Sequence, residues 1–213
     1  MSATNLLVGS WELSFLSRSD QFGVLARAYL DSAQRLCRIL ERSPRKISYA
    51  RGAVVLYLAI HACELFLKGA IVAKNPKEKL KSHDLGALKR RYDRLYPSKR
   101  FGWDLPFRGK HSGLTAAQEA EIKRSERSAH AVYRYPVDPA GEPWRGVMGF
   151  APVSFLETLL QLGDDMQRLH ALFSPAIQRL EQTTGRRARA CSGRRSRAAA
   201  EPPRRWTADG GAR

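Results

Sequence analysis

Apolar residues recur at three- and four-residue steps through Phe22, Leu25, Tyr29, Ala33, Leu36 and Leu40. That is the spacing of one helix face, and it predicts a helix over residues 20–42. The Ser43–Pro44 pair ends it, because proline lacks the N–H that would extend the ladder and biases its predecessor away from helix. From Tyr49 to Ala73 apolar side chains surround the helix and charges are few, so this segment is expected as the central element of the core. Leu85, Leu88, Tyr92 and Leu95 mark a shorter third helix with Ser82 as its expected cap. Its opposite face carries Lys89, Arg90, Arg91 and Arg94.

Residues 97–114 mix glycine, proline and aromatics without a steady period and are expected to form an ordered loop. Thr115 with Gln118 makes a capping-box pattern that opens a charged helix running to about Val132. The segment YRYPVDPAGEPWRGV places extended residues on either side of turn residues and predicts a short hairpin. Ser154 with Glu157 is expected to open the last long helix, whose stripe is Phe155, Leu159, Leu162, Met166, Leu169 and Phe173. The pattern therefore predicts an all-α fold, an up-and-down bundle of four to five helices with a short hairpin-like insertion before the last long helix. The helical domain is expected over residues 1–180, with a basic, low-complexity and disordered tail over 181–213.

The charge changes the picture. The chain has 213 residues and a formal net charge of +17, so a polyanion concentrates around it and binds in a salt-dependent way. Residues 181–213 carry nine Arg and three acids, a net +6, which leaves +11 on the first 180 residues. Cys37, Cys63 and Cys191 are too few and too scattered for a disulfide framework or a thiolate metal site. The first residues hold no basic segment followed by a long apolar run, so no signal peptide is expected and a reducing cytoplasm fits. The most apolar stretch, AVVLYLAIHACELFLKGAIVA, is interrupted by His61, Glu64 and Lys68, which are costly in lipid. It reads as a helix buried in protein, with no membrane partner.

Two constellations carry chemistry. In RSERSAH, Arg124 and His130 lie six residues apart, about 9 Å along a helix and roughly 120° around it, so two long side chains can converge on one phosphate. Arg127 lies midway. Arginine neutralises a phosphate and histidine moves a proton near neutral pH, which points to phosphoryl chemistry; a solvated basic helix is the plainer alternative. Glu64 and Lys68 have the favourable order for an i,i+4 ion pair, and on so apolar a helix both need partners, either to orient a loop or to tie helices together. His83 and Asp84 sit at a helix start, where capping accounts for them. His61, Glu64, His83 and Asp84 lack a tight ligand motif, so no metal is expected. Arg100, Phe101, Trp103, Phe107 and Arg108, and then Tyr133, Arg134, Tyr135, Trp144 and Arg145, interleave aromatics with cations. Such groups stack on unpaired bases or pin loops to a core.

Three stretches, AIHACELFLKGAIVA, KSHDLGALKRRY and RSERSAHAVYRYPVD, together resemble the HEPN superfamily, the higher eukaryotes and prokaryotes nucleotide-binding domain, in its bacterial forms. The resemblance covers about residues 20–175. It implies an all-α bundle that dimerises and, in the ribonuclease members, an Arg followed after four to six residues by His in a composite cleft across the dimer, with no metal or other cofactor. Arg124 and His130 match that spacing, with Ser125 where a larger polar residue such as Asn is common. By resemblance they are the catalytic pair, with Arg127, Arg134, Tyr135, Lys89 and Arg90 contacting RNA and Glu64, Lys68, His83 and Asp84 supporting the site. The implied partners are RNA, a second copy of the chain and a nucleotidyltransferase-like antitoxin, in a toxin or phage-defence role. Many members lack the motif and cut nothing. Two further readings stand beside this one: a noncatalytic RNA- or ribosome-binding module, and a helical subunit that binds a protein partner.

Overall fold

Helices order the residues described by the structure, a computed structural model that covers 10–106, 115–117, 120, 129–137, 140–142 and 150–173, with the backbone alone at 10, 11, 129 and 130. They are α1 (Arg18–Glu41), α2 (Tyr49–Lys74), α3 (Leu85–Leu95), α4, described over Ala129–Val132, and α5 (Pro152–Phe173), and residues 116, 117 and 120 are helical as well. Single turns of 3₁₀ helix stand at Ser10–Leu13, Pro44–Lys46 and Lys99–Phe101. Among the described residues no strand forms, and the fold is an all-α bundle. Of the segment expected as a hairpin, the described part shows a turn after α4, an isolated bridge position at Val137 and Gly141 at φ +85°. All the described residues fall within one compact unit, Met1–Phe173. The expected basic tail lies outside the described residues.

The helices start where local chemistry satisfies their free amides. The Ser17 hydroxyl accepts from the Asp20 amide and donates to the Asp20 carboxylate at 2.7 Å, a reciprocal cap that stabilises α1 by about 1 kcal/mol. Ser48 accepts from the Arg51 amide and opens α2. Two expected starts are corrected. Asp84, not Ser82, caps α3: its carboxylate accepts from the Ala87 amide at 3.0 Å, and Ser82 instead accepts from the Asp84 amide. α5 opens at Pro152, suited to a first turn because no partner is needed for its missing N–H, so Ser154 is already inside the helix and donates to the Ala151 carbonyl.

α2 is the centre of the bundle. Ser19 of α1 donates to the Gly69 carbonyl near the end of α2, and the Tyr29 and His61 rings meet edge to face, so α1 and α2 run antiparallel. Gln34 donates to the Leu159 carbonyl and the Cys37 thiol to the Pro152 carbonyl, which sets α5 antiparallel to α1 as well. The segment between α2 and α3 doubles back, placing His83 beside Glu64, and α3 then ends where the Tyr96 hydroxyl donates to the Ala70 carbonyl at 2.8 Å. α2 is long and apolar enough to cross a membrane, yet 78% of its apolar window is buried by its neighbours. Buried Cys37 and Cys63 are free thiols; burial pushes Cys37 up to about 11 and raises Cys63 further, so both are unreactive.

The loop after α3 joins this core. Trp103 stacks edge to face on Phe66, Phe101 lies parallel to Phe173, and the Tyr92 hydroxyl donates to the Phe101 carbonyl at 2.7 Å. Arg168 of α5 clamps the same loop by donating to the Arg100 and Gly102 carbonyls. Phe101 and Trp103 are therefore packing residues, the pinning alternative for this aromatic group. Phe107 and Arg108 lie outside the described residues.

Candidate functional site

Glu64 sits in the middle of α2 with a side chain only 2% exposed. Its Oε1 accepts from Lys68 Nζ at 2.6 Å and contacts His83 Nδ1 at 2.9 Å. Burial works to raise the carboxyl, but the His61 ring beside it, the Lys68 hydrogen bond and the charges on Lys68 and then His83 outweigh it and hold Glu64 down to about 2. An ionised carboxylate only accepts, so His83 presents Nδ1–H to it. His61 Nδ1 stands 3.8 Å from Oε2, beyond hydrogen-bond length, with its ring stacked on Tyr57. Lys68 is buried with Glu64, whereas the His83 ring is half exposed. The cluster ties α2 to the start of α3, and Asp84 completes the joint as the α3 cap.

The other residues singled out from sequence fall elsewhere. Lys89 pairs with Asp93 at 2.7 Å and lies over the Tyr92 ring, while Arg90 is exposed on the same helix. Arg134 stacks on the Tyr135 ring at 5.2 Å, and Tyr135 is half exposed, so an arginine–tyrosine platform faces solvent just after α4. Arg124 and Arg127 lie outside the described residues, as do Trp144 and Arg145. His130 contributes its backbone to α4, which packs against α2.

The position of α4 separates the constellations. Tyr133, the residue after α4, is packed against the core, and its phenol is raised first by burial and then by Tyr49 at the start of α2. Glu64 lies fifteen residues further along α2, about 22 Å at the rise of an α-helix. The Glu64 cluster is thus too far from the Tyr49 end of α2 to exchange a proton with a group bound there. Its observed role is to tie α2 to the start of α3.

One feature of that end was not singled out from sequence. A cleft of about 320 Å³ opens there, lined by Ile47, Ser48, Tyr49, Gly52, Ala53, Leu56 and Phe150. A Cβ on Gly52 would stand 3.1 Å from the Phe150 ring, so glycine lets that ring rest on the α2 backbone. The only sequence signal was weak, a glycine near the start of an apolar helix that follows a basic turn. A second, more open depression follows the exposed lysines of Lys74–Lys79. Among the described residues no group of three or more His, Cys, Asp or Glu side chains is placed to hold a metal ion. Compared with family models, curated proteins and solved structures, the chain matches none.

Proposed function

We propose that this chain is a metal-independent endoribonuclease of HEPN type, working as a homodimer with Arg124 and His130 at a dimer cleft. The observation that supports the HEPN part of the reading is the Glu64–Lys68–His83 joint, which brings together two of the stretches on which the resemblance rests, while the roles of Arg124 and His130 come from the resemblance alone. The charge of +17 supports a polyanionic substrate, and the packing of α4 against α2 gives the His130 backbone a fixed support.

In this reading His130 takes the proton from a ribose 2′-hydroxyl as that oxygen attacks the adjacent phosphorus. The O2′–P bond forms, the P–O5′ bond breaks, and the leaving oxygen takes a proton, giving a 2′,3′-cyclic phosphate and a free 5′-hydroxyl. Arg124, assisted by Arg127 or Arg134, neutralises the charge that builds on the phosphoryl oxygens. The family settings of toxin and phage-defence effector, with a nucleotidyltransferase-like antitoxin, belong to the same proposal, as does a cytoplasmic site of action.

DNA lacks the attacking hydroxyl, so it binds uncut. The test is a labelled oligoribonucleotide beside the DNA of the same sequence: RNA fragments with cyclic-phosphate ends and intact DNA are expected. Cleavage of both at comparable rates contradicts this chemistry, and salt-sensitive binding without product transfers the reading to a noncatalytic RNA-binding module.

A further inference from the structure

We propose that the cleft at the start of α2 is a nucleobase subsite that takes one unpaired base of an RNA strand. The identity of the strand rests on the ribonuclease reading; the geometry of the cleft does not depend on the roles given to Arg124 and His130.

The walls have the right chemistry. Tyr49, 61% exposed, and Phe150 supply aromatic faces, Ile47 and Leu56 supply aliphatic surface, and the Ser48 hydroxyl and the Tyr49 phenol are the polar side-chain groups among the lining residues. At about 320 Å³ the cleft is at the small end of ligand pockets, which span roughly 300–1,000 Å³, so one planar ring system suits it better than a large ligand. Base stacking tolerates any base because each has a π-face.

The rim has the right charge. The run RSPRKISYAR, residues 42–51, carries Arg42, Arg45, Lys46 and Arg51 and no acid. Arg51 donates to the Lys46 carbonyl at 2.9 Å, which holds its guanidinium beside the basic turn Pro44–Lys46. An aromatic slot next to a basic turn, with Arg51 held beside it, matches a base and its flanking phosphates, whereas an apolar peptide side chain would make no use of the cations. α4 packs on α2, and Tyr133 just after it lies near enough to Tyr49 for the two phenols to resist ionising together, so the slot lies beside the element that carries His130.

The test uses the full-length His130→Ala chain, so that bound RNA stays uncut, and hexaribonucleotides carrying 2-aminopurine at each position in turn. Fluorescence quenching at one position is expected. Tyr49→Ala should abolish the quench and weaken binding roughly tenfold. Gly52→Val, which displaces the Phe150 ring, should do the same; if it fails to fold, the exposed Tyr49 carries the test. Arg51→Ala should weaken binding but keep the quench. RNA that binds with no quenched position, or a quench and affinity untouched by Tyr49→Ala, overturns the subsite, and absence of RNA binding overturns both proposals. A wild-type chain that shows the quench but never cuts loses the nuclease reading and keeps the subsite; one that cuts with Tyr49 irrelevant does the reverse.

Discussion

Glu64 and His83 meet at 2.9 Å, joining a buried point in the middle of α2 to the residue that precedes the α3 cap. The carboxylate also holds Lys68, which is equally deep. Removing it leaves a buried ammonium without its counter-charge. Glu64→Gln should therefore destabilise the fold by about 3 kcal/mol, in the range for breaking one side of a buried pair. His83→Ala should cost less than about 1 kcal/mol, because that ring is half exposed. Urea denaturation of both variants checks the order; equal losses would contradict a joint centred on Glu64.

The same carboxyl gives a pH signature. Folding lowers Glu64 from 4.5 to about 2. Its contribution is fully present above 4.5 and is lost as pH falls through 2. The stability gap between wild type and Glu64→Gln should hold steady from pH 7 to about 5 and narrow steadily from pH 4 downward. A gap that is constant to pH 2.5 would mean that the carboxyl is not held down.

At Gly69 the helices α1 and α2 lie close together. An added Cβ would lie 3.0 Å from Phe22 Cβ and 3.2 Å from the Ser19 carbonyl oxygen, neither of which is the end of a flexible side chain. Alanine favours a helix by up to about 1 kcal/mol over glycine. Overpacking of about 1–3 kcal/mol should nonetheless win, so Gly69→Ala should lower Tm. A raised Tm would show that the helices part easily.

Charge should divide between the two parts of the chain. Deleting residues 181–213 removes a net +6 and leaves +11. RNA affinity should persist but show a shallower salt dependence, the log–log slope changing by about 0.7 for every single-strand phosphate that the tail had neutralised. Binding that disappears with the tail would locate RNA affinity in the tail alone.

The extents of α1, α2 and α3 were legible from the apolar spacing, since their observed ends lie within two residues of the expected ones, but the buried face of α1 is turned by about one residue from the expected stripe, onto Ala26, Leu30, Ala33, Cys37 and Leu40, and leaves Leu25 40% exposed. The Glu64–Lys68 pair was legible for the same reason: two charges on a helix apolar all round must meet partners. The cap was less so, since Ser82 and Asp84 both suit the position and only the Asp84–Ala87 bond decides it. Phe101 and Trp103 fit base stacking as well as packing until Arg168 is seen fixing their loop to α5. The Tyr49 cleft was not legible, because Phe150 reaches Gly52 from almost a hundred residues away in the sequence. The separation of that cleft from Glu64 likewise depends on where α4 docks.

The central claim is that His130 performs metal-independent chemistry on RNA. The most direct measurement incubates wild type and His130→Ala, both folded and both binding RNA, with a labelled oligoribonucleotide in excess chelator, and identifies the product ends. Wild type should give cyclic-phosphate ends, and the variant should lose at least about a hundredfold in rate. Equal cleavage by the two, or none by either, would contradict it.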